Sequence, residues 1–294
     1  MKILVIGASG LIGSHYVKAT KFGCLTPDEK ELDITNIKSV NKFITKNKPD
    51  TVVNFAAYTD TKNAETERNN KKGKVWKINT EGPRNLAKIC SKNNIHLIHI
   101  STDLIFSGKD TGLKSYTETS RYDTKLKNIS WYGITKMEGE KSVRKNGGKW
   151  TIVRIAYPFA GPAGPKTDLL HNILSLYDSK NLYPMFDDNT ITPTYINDLI
   201  KALEIIVKNK KRGIFHVVSS GAVSHYEFAK YALEKSGRKT GVLKKAKLEE
   251  FAKTSNIPRP LHIRLDNKKT IRSLNISLGT WKQNINKALK ELSF

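Results

Sequence analysis

Short apolar runs alternate with stretches of helical period through the first half of the chain. KILVIG, Lys2 to Gly7, is continuous, β-branched and stopped by glycine, the pattern of a strand covered on both faces. LIGSHYVKAT follows at once with Leu11, Ile12, Tyr16 and Val17 near a 3.6-residue period, which predicts a helix. A weak strand is expected near GCLT, a helix from Asn36 to about Lys46, a strand over Thr51 to Ala57, a long helix from about Val75 to Lys92, and a strand over His96 to Thr102. A polar loop then leads to a helix from about Trp131 to Lys145 and a strand over Trp150 to Ala156. Strands alternating with helices of this length predict an α/β fold with a parallel sheet wound on both faces.

The texture changes after Ala156, where YPFAGPAGP carries three of the ten prolines. A lobe boundary or ligand-facing loop is expected there. Helices are predicted over about Thr167 to Tyr177, Ile196 to Lys208, Tyr226 to Ser236 and Leu248 to Thr254, with a strand GIFHVV between the second and third. The division is thus 1–156 for a nucleotide-binding unit and 157–294 for a smaller lobe, some segments of which return to the first sheet.

Composition refines this picture. With 294 residues and 38% hydrophobic content, the chain can bury one large core or a core plus a smaller lobe. Cys24 and Cys90, the two cysteines, lack metal-type spacing and read as reduced small hydrophobes, which favours an intracellular, cytoplasmic protein. The apolar run at the N-terminus breaks at Gly7, and no stretch reaches the roughly 20 residues of a bilayer span. The net charge of +24 attracts anions, but the lysines are scattered over all helical segments and no nucleic-acid-binding pattern occurs. A solvated surface is favoured over a specific nucleic-acid site. No acidic cluster has metal-ligand spacing.

Candidate chemistry sits at the ends of the predicted strands. Gly7, Gly10 and Gly13 in GASGLIG fit G-x-x-G-x-x-G between a buried strand and a helix, where backbone can approach a pyrophosphate at a helix N-terminus. Asp28 and Asp33 both stand where an acid could bond an adenosine ribose, though Asp28 also reads as a turn residue after Pro27, so NADH and NADPH both stay open. HLIHIST delivers Ser101 and Thr102 to the carboxyl edge, followed by Asp103; such a triplet can bond a carbonyl or merely cap a turn. Tyr-x-x-x-Lys occurs at Tyr58/Lys62, Tyr226/Lys230, Tyr231/Lys235 and Tyr132/Lys136. Only Tyr132 begins the helix after the Thr102 strand, with Lys136 one turn on along the same face. An ammonium there is expected to lower the phenol's pKa and make it a proton donor at working pH.

GASGLIG, ELDIT, VVNFAAYTDTKNAE, INTEG, STDLIFSG, WYGITKMEGEK, ITPTYINDL and RPLHIRLD, in this order, resemble the dTDP-4-dehydrorhamnose reductase branch of the extended short-chain dehydrogenase/reductases over nearly the whole chain. The resemblance implies a Rossmann-type doubly wound sheet with a C-terminal substrate-binding lobe, and hydride transfer from NADPH or NADH to a 4-keto-6-deoxy sugar nucleotide. It implies Tyr132 as proton donor, Lys136 as its electrostatic partner and ribose anchor, and Thr102 as the hydroxyl that orients the carbonyl. Gly7, Gly10, Leu11, Ile12 and Gly13 would hold the pyrophosphate, Asp33 and Ile34 would lie by the adenine, and Ala56, Ala57 and Tyr58 would line the middle of the cofactor. Asn79 would lie beneath the site with Ser101 nearby, while Asp103, Thr194 and Arg259 would face the sugar nucleotide. Leu104 stands where the family has a tyrosine, AYPF at Ala156 to Phe159 replaces a tryptophan-containing segment, and the loop around 109–129 is unusually basic, so the sugar is open. Sister readings are an epimerase or dehydratase that retains NAD, or a non-catalytic dinucleotide-binding subunit similar to the regulatory subunit of methionine adenosyltransferase. A homodimer is compatible with all of them.

Overall fold

The central runs are buried over most of their length, and each forms a strand. In the computed structural model, which describes residues 1–108 and 115–292, β1 (Lys2–Ile6), β2 (Gly23–Leu25), β3 (Thr51–Asn54), β4 (His96–Thr102), β5 (Lys149–Ile155) and the strand Gly213–His216 form one sheet. The order is β2-β1-β3-β4-β5 followed by Gly213–His216, and all pairings are parallel. The chain reverses its winding between β1 and β3, the point where open α/β sheets leave a crevice at the strands' carboxyl ends.

Two apolar layers cover the sheet. On one face Tyr16 of α1 (Leu11–Ala19) packs with Leu199, Leu203 and Ile206 of the helix Ile196–Asn209. On the other, Val40 and Ile44 of α2 (Ile37–Asn47) pack with Leu86, Cys90 and Val143. The third core belongs to the C-terminal lobe, where helices Leu169–Asp178, His225–Lys235 and Trp281–Leu292 bury Ile173, Phe228 and Ile285. Two later segments belong to the first sheet: Gly213–His216 pairs with β5, and Ile196–Asn209 packs on one face.

Several boundaries move. β3 stops at Asn54 rather than Ala57, because the Asn54 carboxamide accepts a hydrogen bond from the Ala56 N–H at 3.1 Å and turns the chain. The long helix through Val75 to Lys92 contains a π-turn over Lys77–Glu81, which rotates Asn79 and Thr80 inward toward Thr135. Helices Thr61–Thr66, Lys268–Leu274 and Trp281–Leu292 were not predicted. Part of the basic loop, residues 109–114, lies outside the described residues.

Candidate active site

The turn after β1 sits at the reversal point and is closed tightly against β3. Gly7 has φ +78°, and a Cβ there would lie 2.7 Å from the Ala56 backbone nitrogen; a Cβ on Gly13 would lie 2.2 Å from the Gly7 carbonyl oxygen. Gly10 caps α1 without a side-chain hydrogen bond, so the first-turn N–H groups face the crevice. This backbone cradle fits a dinucleotide pyrophosphate, which needs close approach, free N–H donors and the positive end of the helix dipole.

From this turn a cavity of about 930 Å³ runs along the carboxyl edge of the sheet to the C-terminal lobe. Gly7, Gly10, Leu11, Ile12, Gly13, Asp28, Asp33, Ile34, Ala56, Ala57, Ser101, Thr102, Asp103, Tyr132, Lys136 and Arg259 all line it. Asp28 and Asp33 hold their own turns: Asp28 accepts from the N–H groups of Lys30 and Glu31, Asp33 from the N–H and hydroxyl of Thr35.

Tyr58 and Thr194 do not line this cavity, and Asn79 lies behind it. The Asn79 carboxamide accepts from the Tyr58 N–H at 2.8 Å and donates to the Tyr58 carbonyl and the Thr135 hydroxyl, both at 3.1 Å, so Asn79 and Tyr58 brace the wall from behind. Thr194 is buried, its hydroxyl accepting from the Ala156 N–H and donating to the Val217 carbonyl. Its hydroxyl is used up at a strand corner, and Thr194 does not line the cavity.

The helix Trp131–Lys145 carries the candidate chemistry, and its placement is built into its sequence. Ser130 caps it, its hydroxyl accepting from the Gly133 N–H, and the Trp131 N–H donates to Glu65. A Cβ on Gly133 would meet the Leu104 carbonyl oxygen at 2.1 Å, and one on Gly139 would meet that of Asn79 at 2.3 Å, so the glycines let the helix settle onto the end of β4 and the π-turn. Lys136 is 2% exposed; its ammonium donates to the Ile100 carbonyl at 2.7 Å and lies 3.4 Å from Nε2 of His99. Burial pushes its pKa down to about 8, with Glu140 acting the other way. Burial, and then Lys136, hold His99 well below its usual value, so the imidazole is neutral.

The expected effect of Lys136 on the phenol is overturned. Tyr132 is raised above its ordinary pKa, first by burial and next by Asp103, with a hydrogen bond to Thr102 acting downward. The ammonium is spent on Ile100 and His99 rather than on the phenol. Asp103 is itself raised to about 7 by burial, against hydrogen bonds from Thr102 and the backbone. The Thr102 hydroxyl donates to its Oδ1 at 3.1 Å, while Oδ2 and the Ser101 hydroxyl are buried without hydrogen-bond partners.

The far wall contains residues that the motifs did not single out. Tyr157 adopts φ +42°, uncommon for a bulky residue, and its ring meets that of His225 edge-on at 4.9 Å. His225 is pushed down to about 4 by burial and then Arg259, and its Nδ1 lies 2.6 Å from the Asn189 amide. Tyr183, Phe186 and Lys166 complete that side. The AYPF segment signalled Tyr157; His225 carried no local signal, because only tertiary packing brings the start of its helix here.

The RmlD substrate binding domain family matches residues 1–294. A spore coat polysaccharide biosynthesis protein of Bacillus subtilis is 31% identical over 99% of this chain and 98% of its own length. A dTDP-4-dehydrorhamnose reductase of Aggregatibacter actinomycetemcomitans is 29% identical, covering 96% of both chains. The crystal structure of dTDP-4-dehydrorhamnose reductase from Bacillus anthracis in complex with NADP superposes with a TM-score of 0.87 at 26% identity, over 99% of each chain. With the glycine turn, the strand-end hydroxyl and the Tyr-Lys helix in place along one cavity, and with the match running from end to end, this chain belongs to the RmlD substrate binding domain family.

Proposed function

We propose that this protein is an NAD(P)H-dependent reductase of a 4-keto-6-deoxy sugar nucleotide. One observation carries the reading: the dinucleotide cradle at Gly7 to Gly13, the Thr102/Tyr132/Lys136 group and Arg259 of the C-terminal lobe share one continuous cavity. The reduced nicotinamide, when bound, supplies hydride to the keto carbon. Thr102 orients the carbonyl oxygen and the Tyr132 phenol gives it a proton as negative charge develops there. Lys136, fixed by Ile100, would hold the nicotinamide ribose. A raised phenol pKa suits this direction of reaction, because the donor stays protonated at neutral pH until the alkoxide forms.

The test follows oxidation of NADPH and NADH against a set of 4-keto-6-deoxy sugar nucleotides. Wild type turns over at least one of them, and Tyr132→Phe lowers kcat by about a hundredfold or more while dinucleotide affinity stays within about threefold. Unchanged turnover in Tyr132→Phe removes the proton-donor role, and dinucleotide binding without turnover on any of them favours the non-catalytic reading.

A further inference from the structure

Lys136 stands at the end of a hydrogen-bond chain whose polarity is set at the other end. The Ala56 N–H, a backbone group that can only donate, gives its hydrogen bond to Oδ1 of Asn54 at 3.1 Å. Nδ2 of Asn54 then faces Nδ1 of His99 at 3.2 Å, and Nε2 of His99 faces the Lys136 Nζ at 3.4 Å. An amide nitrogen only donates, so Nδ1 accepts and the single proton of the neutral imidazole sits on Nε2, pointing at Lys136. An amine has a lone pair to receive that N–H; an ammonium has donors alone. Turning the Asn54 amide or moving the His99 proton only shifts the conflict, because each group passes on one donor for each it accepts. With Lys136 charged, one donor faces another somewhere between Ala56 and Nζ.

Nothing nearby offsets this. Asn54 and His99 have no exposed surface. Glu140, one turn further along the helix, is taken up by Arg154 at 2.8 and 3.0 Å and by the Tyr122 hydroxyl at 2.8 Å. Among the described residues no ion pair includes Lys136. Its bond to the Ile100 carbonyl at 2.7 Å is open to amine and ammonium alike.

We propose that Asn54 and His99 are positioning residues that keep Lys136 close to its uncharged form. Burial acts in the same direction. The titratable groups around Lys136 are His99 from β4, Glu140 and Tyr132 from its own helix, and Asp103 beyond β4 on the cavity wall. The consequence for binding rests on the reading that Lys136 holds the nicotinamide ribose. An ammonium bonds a hydroxyl more strongly than an amine does, so a dinucleotide favours the charged form. Binding then draws one proton from the buffer acid onto the Nζ lone pair, forming one N–H bond with no electrons transferred.

The experiment uses nitrogen-15 histidine and carbon-13 lysine NMR on the whole chain without nucleotide, the His99 and Lys136 signals being those lost in His99→Leu and Lys136→Met. Wild-type His99 should carry its proton on Nε2, and Lys136 should titrate near 8. His99→Leu should move that midpoint up by about one unit, as the donor conflict is removed; burial alone predicts no rise, since leucine is the less polar neighbour. Asn54→Asp, which accepts at both faces, should turn the His99 proton to Nδ1 and raise the Lys136 midpoint as well. Wild-type His99 protonated on Nδ1, or a Lys136 midpoint that fails to rise in His99→Leu, overturns the proposal. Calorimetry of NADPH binding at pH 8.5 in buffers of different ionisation enthalpy should show proton uptake, reduced about twofold or more in His99→Leu. The expected NMR results without proton uptake would support the proposal and remove Lys136 from the ribose, so the two readings fail separately.

Discussion

Tyr132 and Lys136 lie one helical turn apart, yet different neighbours tune them. Lys136 is held by Ile100 and faces neutral His99, whereas the phenol feels burial and the Asp103 carboxyl. The four-residue spacing was legible; the direction of the phenol's shift was not, because desolvation depends on how completely β4 and the loop beyond it enclose the ring. The same burial makes a stability prediction for Asp103. Its folded pKa, about 7 against an ordinary 3.8, keeps the native state protonated across a window in which the unfolded chain has released the proton. That contribution is full below about pH 4 and is lost as pH rises through 7. Asp103→Asn should therefore gain Tm relative to wild type between pH 5 and pH 8, by about several degrees; calorimetry showing the same difference at both pH values contradicts this.

At the scale of elements, the helix Trp131–Lys145 is seated by what it lacks. Gly133 and Gly139 are six residues apart, and each allows a carbonyl of another element to approach where a Cβ would stand. Gly133→Ala should push the helix from Leu104, destabilise the fold by about 1–3 kcal/mol and lower kcat by about tenfold or more. Gly241→Ala, with nothing within 4 Å of its added Cβ and no positive φ, should change neither and serves as the control. Urea unfolding and steady-state assays measure both, and a Gly133→Ala enzyme of wild-type stability and rate would show the contact to be yielding. Glycines within WYGITKMEGEK gave no sign of this in the sequence, since a glycine inside a helix looks only like a weak residue until its neighbour is known. The π-turn at Lys77–Glu81 was hidden for a similar reason: it exists to aim Asn79 and Thr80 at Thr135, a contact 55 or 56 residues away in the chain.

At the scale of the whole molecule, the cavity joins two cores that the chain builds from interleaved segments. The dinucleotide end belongs to the turn after β1, and Arg259 approaches from the C-terminal lobe with its guanidinium 5.4 Å from the Phe251 ring centre. Arg259→Ala should raise the KM for the sugar nucleotide by about 10–100-fold, the loss of a charge-assisted bond, and leave dinucleotide Kd within about twofold. Titration of each ligand separately checks this, and equal weakening of both would place Arg259 at the cofactor. The sheet, its parallel winding, the glycine turn and the Tyr132 helix were determined by the sequence itself, because buried strands, capped helices and phosphate cradles are made by residues near one another in the chain. Only tertiary structure decided that Thr194 and Tyr58 stand off the cavity wall, that Tyr157 and His225 stand on it, and that burial, with Asp103 after it, raises the phenol while Lys136 turns to Ile100 and His99. Those outcomes depend on which polar groups packing satisfies and which it strips of water, and that is set by contacts between distant segments.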